Sequence, residues 1–173
     1  MEEVVKLVFP TMEYEKKALE YMEEMRLNNS SYAGCAMLEK YLDNYRGWLD
    51  KLEKFKNTPD EGYARSETYF LVREKDNKIL GFIDLRYELT PFLFNYGGHI
   101  GYSVRPSERK KGYAKIMLNM ALDKYRELGI DKVLICCNRN NIGSKKTILA
   151  NNGIYENEVP KGEEIIQRYW INI

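Results

Sequence analysis

The sequence predicts one α/β domain spanning residues 1–173, with a mixed central sheet of about seven strands flanked by helices. Three observations carry this. Strand-like and helix-like stretches interleave through the second half of the chain, which sets helices on the faces of a sheet. The helical stretches are one-faced, with apolar residues at 3- and 4-residue steps. The run Lys132 to Cys137 lacks polar alternation, as a strand covered on both faces should.

Taken in order, Val4 to Phe9 reads as a first strand ended by Pro10. Thr11 is placed to cap a helix with Glu13 and Glu15 in its first turn and Tyr14, Ala18, Met22 and Met25 along its apolar stripe. Asn28-Asn29-Ser30-Ser31 breaks it. A second helix is expected from Met37 to Phe55, where Leu38, Tyr41, Leu42, Tyr45, Trp48, Leu49, Leu52 and Phe55 keep helical spacing. Pro59 to Gly62 is loop. Thr68 to Arg73 and Ile79 to Glu88 form a hairpin with Asp76-Asn77 in its turn. Thr90 to Gly97 is an irregular aromatic connection, and His99 to Val104 the next strand. Gly112 to Leu128 is the most periodic helix, stopped by Gly129. After the strand Lys132 to Cys137 comes a shorter helix, Asn141 to Asn151. Ile154 to Val159 and Ile165 to Ile173 make a closing hairpin around Pro160-Lys161-Gly162.

Composition narrows the function classes. Hydrophobic residues are 44% and charged residues 31%, ordinary for a soluble domain. A formal net charge of +1 argues against nucleic acid or an anionic membrane as partner. No apolar run is long enough to span a bilayer, and Met1 to Lys6 lacks the apolar core of a signal peptide. Cys35, Cys136 and Cys137 have neither a disulfide framework nor metal-ligand spacing. The expected setting is therefore reducing and cytoplasmic, with no metal.

The chemistry concentrates in Val104-Arg105-Pro106-Ser107-Glu108-Arg109-Lys110-Lys111-Gly112-Tyr113-Ala114, between a strand and the best helix. The first turn of a helix has main-chain N–H groups without internal partners, and its dipole favours an anion. Gly112 and Ala114 are small enough for a ligand to approach the backbone, and Arg109, Lys110 and Lys111 add charge. This is a place to bind a pyrophosphate. A second turn, Asn138 to Ser144, leads from the buried strand into the shorter helix.

On these residues the chain resembles the GCN5-related N-acetyltransferase (GNAT) superfamily. Arg109-Lys110-Lys111-Gly112-Tyr113-Ala114 matches the family's Arg/Gln-x-x-Gly-x-Gly/Ala motif, and Val104-Arg105-Pro106 its Val-x-Pro. Asn141 and Ser144 match its Asn-x-x-Ala/Ser turn. The resemblance covers the order of elements from Thr68 onward and implies a GNAT-like sheet splayed between strands 99–104 and 132–137. It implies acetyl-CoA as co-substrate, with Tyr102, Ser103, Val104, Arg109, Lys110, Lys111, Gly112, Tyr113, Ala114, Asn141 and Ser144 as its binding residues. Main-chain N–H groups from Lys110 to Ala114 would clamp the phosphates, and the strand ending at Val104 would pair with the pantetheine arm. A main-chain N–H near Tyr102 to Val104 would stabilise the oxyanion.

The implied activity is an acetyltransferase acting on a primary amine of a small molecule or peptide, by direct attack in a ternary complex. Many members carry a proton-donating tyrosine four residues after the Ala/Ser; here that position is Ile148, and Tyr155 is the substitute considered. Asp84, Arg86 and Glu88 share a face of their strand, and Glu88 and His99 are the candidates for base or acceptor contact. Asn141 and Ser144 also read as a helix cap, Asp84, Arg86 and Glu88 as an exposed, mutually paired sheet face, and His99 as a satisfied strand-start histidine. Phe92 and Phe94 would cover the pocket or a homodimer contact. The missing tyrosine leaves a second reading, a non-catalytic acyl-CoA sensor. A phosphate-loop nucleotide enzyme is disfavoured, because no Gly-x-x-x-x-Gly-Lys-Ser/Thr run exists.

Overall fold

The computed structural model describes residues 3–173. Seven strands and four α-helices follow in the order β1 (Val5–Val8), α1 (Glu15–Leu27), α2 (Tyr45–Asn57), β2 (Ser66–Arg73), β3 (Lys78–Arg86), β4 (Ile100–Val104), α3 (Tyr113–Glu127), β5 (Lys132–Asn138), α4 (Ile142–Ala150), β6 (Ile154–Lys161) and β7 (Glu164–Asn172). The splay expected between strands 99–104 and 132–137 is there, and it parts the seven strands into two antiparallel sheets, ordered β1-β2-β3-β4 and β5-β7-β6. No helix among the described residues is long and apolar enough to cross a membrane.

Two apolar clusters hold the layers. On one face of the first sheet, Ala18, Tyr21, Met22 and Met25 of α1 and Tyr45 and Trp48 of α2 pack on Phe70, Val72, Ile79 and Phe82. The opposite face carries α3. There Met117, Leu118, Ala121, Leu122 and Tyr125 pack on Leu71, Leu80, Ile83 and Leu85, and the cluster runs on through Val133, Ile135, Tyr169 and Ile171 of the second sheet. The two sheets therefore share a core although no strand ladder joins them.

Several boundaries differ from the sequence reading for local reasons. The second helix begins at Tyr45, not Met37. Ala36 and Met37 have left-handed φ of 48° and 64°, and Asn44 caps a new helix by accepting from Gly47 N–H at 3.1 Å. Leu38–Lys40 is only a short 3-10 turn. Thr11 makes no side-chain cap; a 3-10 turn, Met12–Tyr14, leads into α1 instead. Glu88 falls beyond β3, which ends at Arg86. Pro160 lies inside β6, where an edge strand tolerates the missing N–H.

Candidate functional site

β4 and β5 are neighbours that touch at one end and diverge. At the closed end Gly98 bridges to Ile135. His99 N–H donates to Leu134 O at 2.7 Å, and Leu134 N–H donates to His99 Nδ1 at 2.8 Å. Beyond this vertex β4 pairs only with β3. Arg86 N–H donates to His99 O and Arg105 N–H to Leu80 O, so the ladder's alternation turns the main-chain groups of Tyr102 into the gap.

At the open end the chain passes through a 3-10 turn, Pro106–Glu108, into Gly112, which has φ 86° and stands at the N-cap of α3. Among the described residues no side chain caps α3. Among the described residues the main-chain N–H groups of Lys110 to Ala114 have no hydrogen-bond partner. A Cβ built on Gly112 would meet nothing within 4 Å. These groups open onto a cleft of about 670 Å³ between β4, α3 and α4.

Of the eleven residues expected to bind the donor, Tyr102, Ser103, Val104, Arg109, Lys110, Gly112, Tyr113, Ala114, Asn141 and Ser144 line this cleft. Lys111 does not; its Nζ is 2.8 Å from Glu108 Oε2. Arg109 lines the cleft but spends two of its donors on the protein. Its Nε donates to Val104 O at 2.9 Å and its Nη2 to Ser30 Oγ at 3.1 Å, which ties the end of β4 to the loop after α1. The basic turn is thus partly neutralised from within, and Lys110, with φ 61°, is left facing the cleft.

Glu108 anchors the turn from beneath. It is buried, with Arg73, Lys78 and Lys111 around its carboxylate. Burial pushes its carboxyl up, but hydrogen bonds from Lys111, Lys78 and Arg73 win and hold it down at about 2. Across the cleft Asn141 Oδ1 accepts from Ser144 N–H at 3.1 Å and caps α4. Tyr102 spans the gap, its hydroxyl 2.7 Å from Ser144 Oγ.

None of the three expected catalytic side chains lines the cleft. Glu88 sits in the bend after β3, bound to the Arg65 guanidinium and accepting from Arg65 N–H at 2.9 Å. His99 is buried at the vertex. Burial, with the Arg86 charge, lowers it to about 4, and its Nδ1 is occupied by Leu134. Tyr155 is half-exposed on β6, edge-on to Tyr169 at 5.6 Å. Asp84 pairs with Thr68 and Arg86 but is buried, and Glu88 pairs with Arg65 instead, so the three do not form the exposed, mutually paired face expected. Among the described residues no group of three His, Cys, Asp or Glu side chains could hold a metal ion.

The sequence reading missed one wall of the cleft. Asn28 to Ser31, which the sequence alone reads only as a helix breaker, lines the cleft together with Ala33 and Gly112. Four small polar residues after an amphipathic helix were the available signal.

The family model described as the acetyltransferase (GNAT) family matches residues 35–149. No curated protein matches the sequence. Among solved structures, the chain is similar to the microcin C7 self-immunity acetyltransferase MccE in complex with acetyl-CoA and AMP. The TM-score is 0.71 at 19% identity, covering 100% of this chain and 94% of that one. RimL, a ribosomal L7/L12 alpha-N-protein acetyltransferase in complex with coenzyme A, gives 0.74 at 15% identity, covering 99% and 96%. The ribosomal-protein-S5-alanine acetyltransferase from Vibrio fischeri gives 0.71 at 17%, covering 99% and 94%. At these identities the likeness is one of fold.

Proposed function

The chain belongs to the acetyltransferase (GNAT) family, and on that premise we propose that it is an acetyl-CoA-dependent N-acetyltransferase acting on a primary amine by direct attack in a ternary complex. One observation carries the reading: the unpartnered N–H groups of Lys110 to Ala114 sit at the positive end of α3 and open onto a cleft that runs toward the gap in the sheet. Fitting a diphosphate there satisfies donors that the fold itself leaves free.

Acetyl-CoA, when bound, supplies an acyl group on a thiol leaving group. The chain's own groups then position it. Lys110 to Ala114 N–H groups hold the phosphates and Lys110 adds charge. The cleft-facing edge of β4 pairs with an amide-bearing arm as a strand would. Tyr102 N–H, turned into the gap, donates to the developing oxyanion. Holding acceptor and donor in register supplies much of the rate. Glu88 would act as base only after leaving Arg65, and His99 only through Nε2, so release of the acceptor's proton to solvent is the simpler route. The acceptor is a small-molecule amine or a peptide amino terminus or lysine.

Calorimetry with acetyl-CoA, followed by release of free CoA thiol against small amines, free-amino-terminal peptides and lysyl peptides, tests this. Binding with turnover on one class is expected. Binding without turnover on any would favour an acyl-CoA sensor, and no binding would end the reading.

A further inference from the structure

One donor has to fill two seats at once: the N–H groups of Lys110 to Ala114 for its diphosphate and Tyr102 N–H for its thioester oxygen. The arm that joins them has a fixed covalent length, so the spacing of the seats matters as much as either seat. Both lie on β4 and the turn after it, and α1 with the loop behind it touches this stretch at both ends. At the Tyr102 end Gly34, with φ 77°, presses on the strand; a Cβ there would lie 2.7 Å from both Gly101 O and Tyr102 Cα. Next to it the Tyr21 hydroxyl is 2.9 Å from Ser103 Oγ. At the phosphate end stands Glu24. Its Oε1 accepts from Ser107 N–H at 2.7 Å, and its Oε2 accepts from Arg105 Nε at 2.8 Å and lies 2.6 Å from Nη2. Arg105 is buried and also donates from Nη1 to Ile79 O at 3.0 Å, which ties the pair to β3. Glu24 does not line the cleft and has no task in the scheme above.

We propose that Glu24 is a positioning residue of the donor site: from α1 it holds the phosphate-binding turn at a set distance from Tyr102, so that seating the diphosphate aims the thioester. This rests on the acetyl-transfer reading. Binding energy gathered at the phosphates, far from the reacting carbon, is then spent on orientation at that carbon. Glu108 has a different job. It ties the same turn to Arg73 and Lys78, at the ends of β2 and β3. Glu24, with Arg109 acting through Ser30, ties it to the element that also touches Tyr102.

The test needs no acceptor. Acetyl-CoA is compared with its two halves, S-acetylpantetheine and adenosine 3′-phosphate 5′-diphosphate, on the full chain, by calorimetry for the whole and ligand-observed NMR for the halves. In wild-type protein, joining the halves should raise affinity well above that of either one. In Glu24→Ala each half should bind within about threefold of wild type, while acetyl-CoA binding weakens by about tenfold, because only the joined molecule feels the spacing. Glu24→Gln keeps an acceptor for Ser107 N–H without the Arg105 ion pair and should lie between; it carries the same comparison if Glu24→Ala does not fold. With any amine that turns over, Glu24→Ala should lower kcat roughly tenfold with acetyl-CoA and leave kcat with S-acetylpantetheine near wild type. Unchanged acetyl-CoA affinity in both variants overturns the proposal. So does an equal loss for acetyl-CoA and the nucleotide half, since Glu24 then serves the phosphate seat and not its spacing. If wild-type protein binds no acetyl-CoA, the acetyl-transfer reading itself has failed.

Discussion

The two ends of the gap between β4 and β5 are built in opposite ways. At the vertex the backbone groups of His99 are paired. Its N–H goes to Leu134 O, and its carbonyl accepts from Arg86 N–H and from the Tyr125 hydroxyl at 2.9 Å. At the mouth a run of consecutive N–H groups has no partner among the described residues. Each end turns on a glycine with left-handed φ, 67° at Gly98 and 86° at Gly112. A Cβ at Gly98 would lie 2.6 Å from Leu134 O, whereas one at Gly112 would meet open space. The first glycine serves close contact between two strands of the protein. The second fronts open space, which the proposed function gives to the donor's phosphates. Buried backbone groups are nearly always paired, and this chain pairs them where the fold depends on it. Among the described residues it leaves pairing undone at the mouth, where the proposed function places the donor.

The strongest way to break this contrast is Gly112→Leu. A non-glycine residue in the left-handed region costs about 1–2 kcal/mol of stability, which the fold should survive. The side chain would occupy the space in front of the free N–H groups. Loss of two charge-assisted hydrogen bonds predicts acetyl-CoA binding weaker by at least about a hundredfold in calorimetry. Wild-type affinity in this variant would remove the distinction between the two glycines.

Glu108→Gln tests what supports the mouth from beneath. Three cations would lose their shared carboxylate, two of them partly solvated, so a loss of about 2 kcal/mol in urea unfolding is expected at pH 7. The carboxyl lies below its unfolded value, so its contribution is full above about pH 4.5 and disappears as pH falls through about 2. The variant's deficit should shrink over that window.

At the vertex, His99→Leu leaves Leu134 N–H buried without an acceptor, a loss of about 1–2 kcal/mol. The imidazole is held well below its unfolded value of 6.5, at about 4. The unfolded chain therefore binds more protons between these limits, and wild-type stability should fall as pH drops from 6.5 to 4 and stay level just above. The variant should lose that part of the acid slope; denaturant midpoints at pH 7 and 5 would read it.

The contrast also explains what was legible in the sequence. The mouth is written locally: a glycine, a small residue and a helix start within Arg109 to Ala114 are main-chain requirements that spacing reveals. The stripes of α1 and α3 are legible for the same reason. Side-chain destinations are not. Arg109 and Lys111 read as phosphate ligands, yet one is drawn to Ser30, 79 residues away, and the other to Glu108. His99 reads as a candidate base because nothing near it in sequence announces that Leu134 takes its Nδ1. Leu38 to Tyr45 continue the helical spacing, so the sequence alone extends the second helix back to Met37, while the backbone at Ala36 and Met37 and the cap at Asn44 interrupt it.

The smallest expected effect compares the mouth's own two helices. α4 starts with a side-chain cap and α3 without one. Asn141→Ala would remove the cap on α4, an expected loss of about 1 kcal/mol in stability. If Asn141 serves only as a cap, acetyl-CoA affinity should follow that loss only weakly, because Ser144 and Tyr102 stay in reach of each other. If it also contacts the donor, affinity should fall by about tenfold or more, beyond what the cap explains. Measuring both quantities on one variant separates a helix start built for the fold from one built for the ligand, and so decides whether α4 belongs with the vertex or with the mouth.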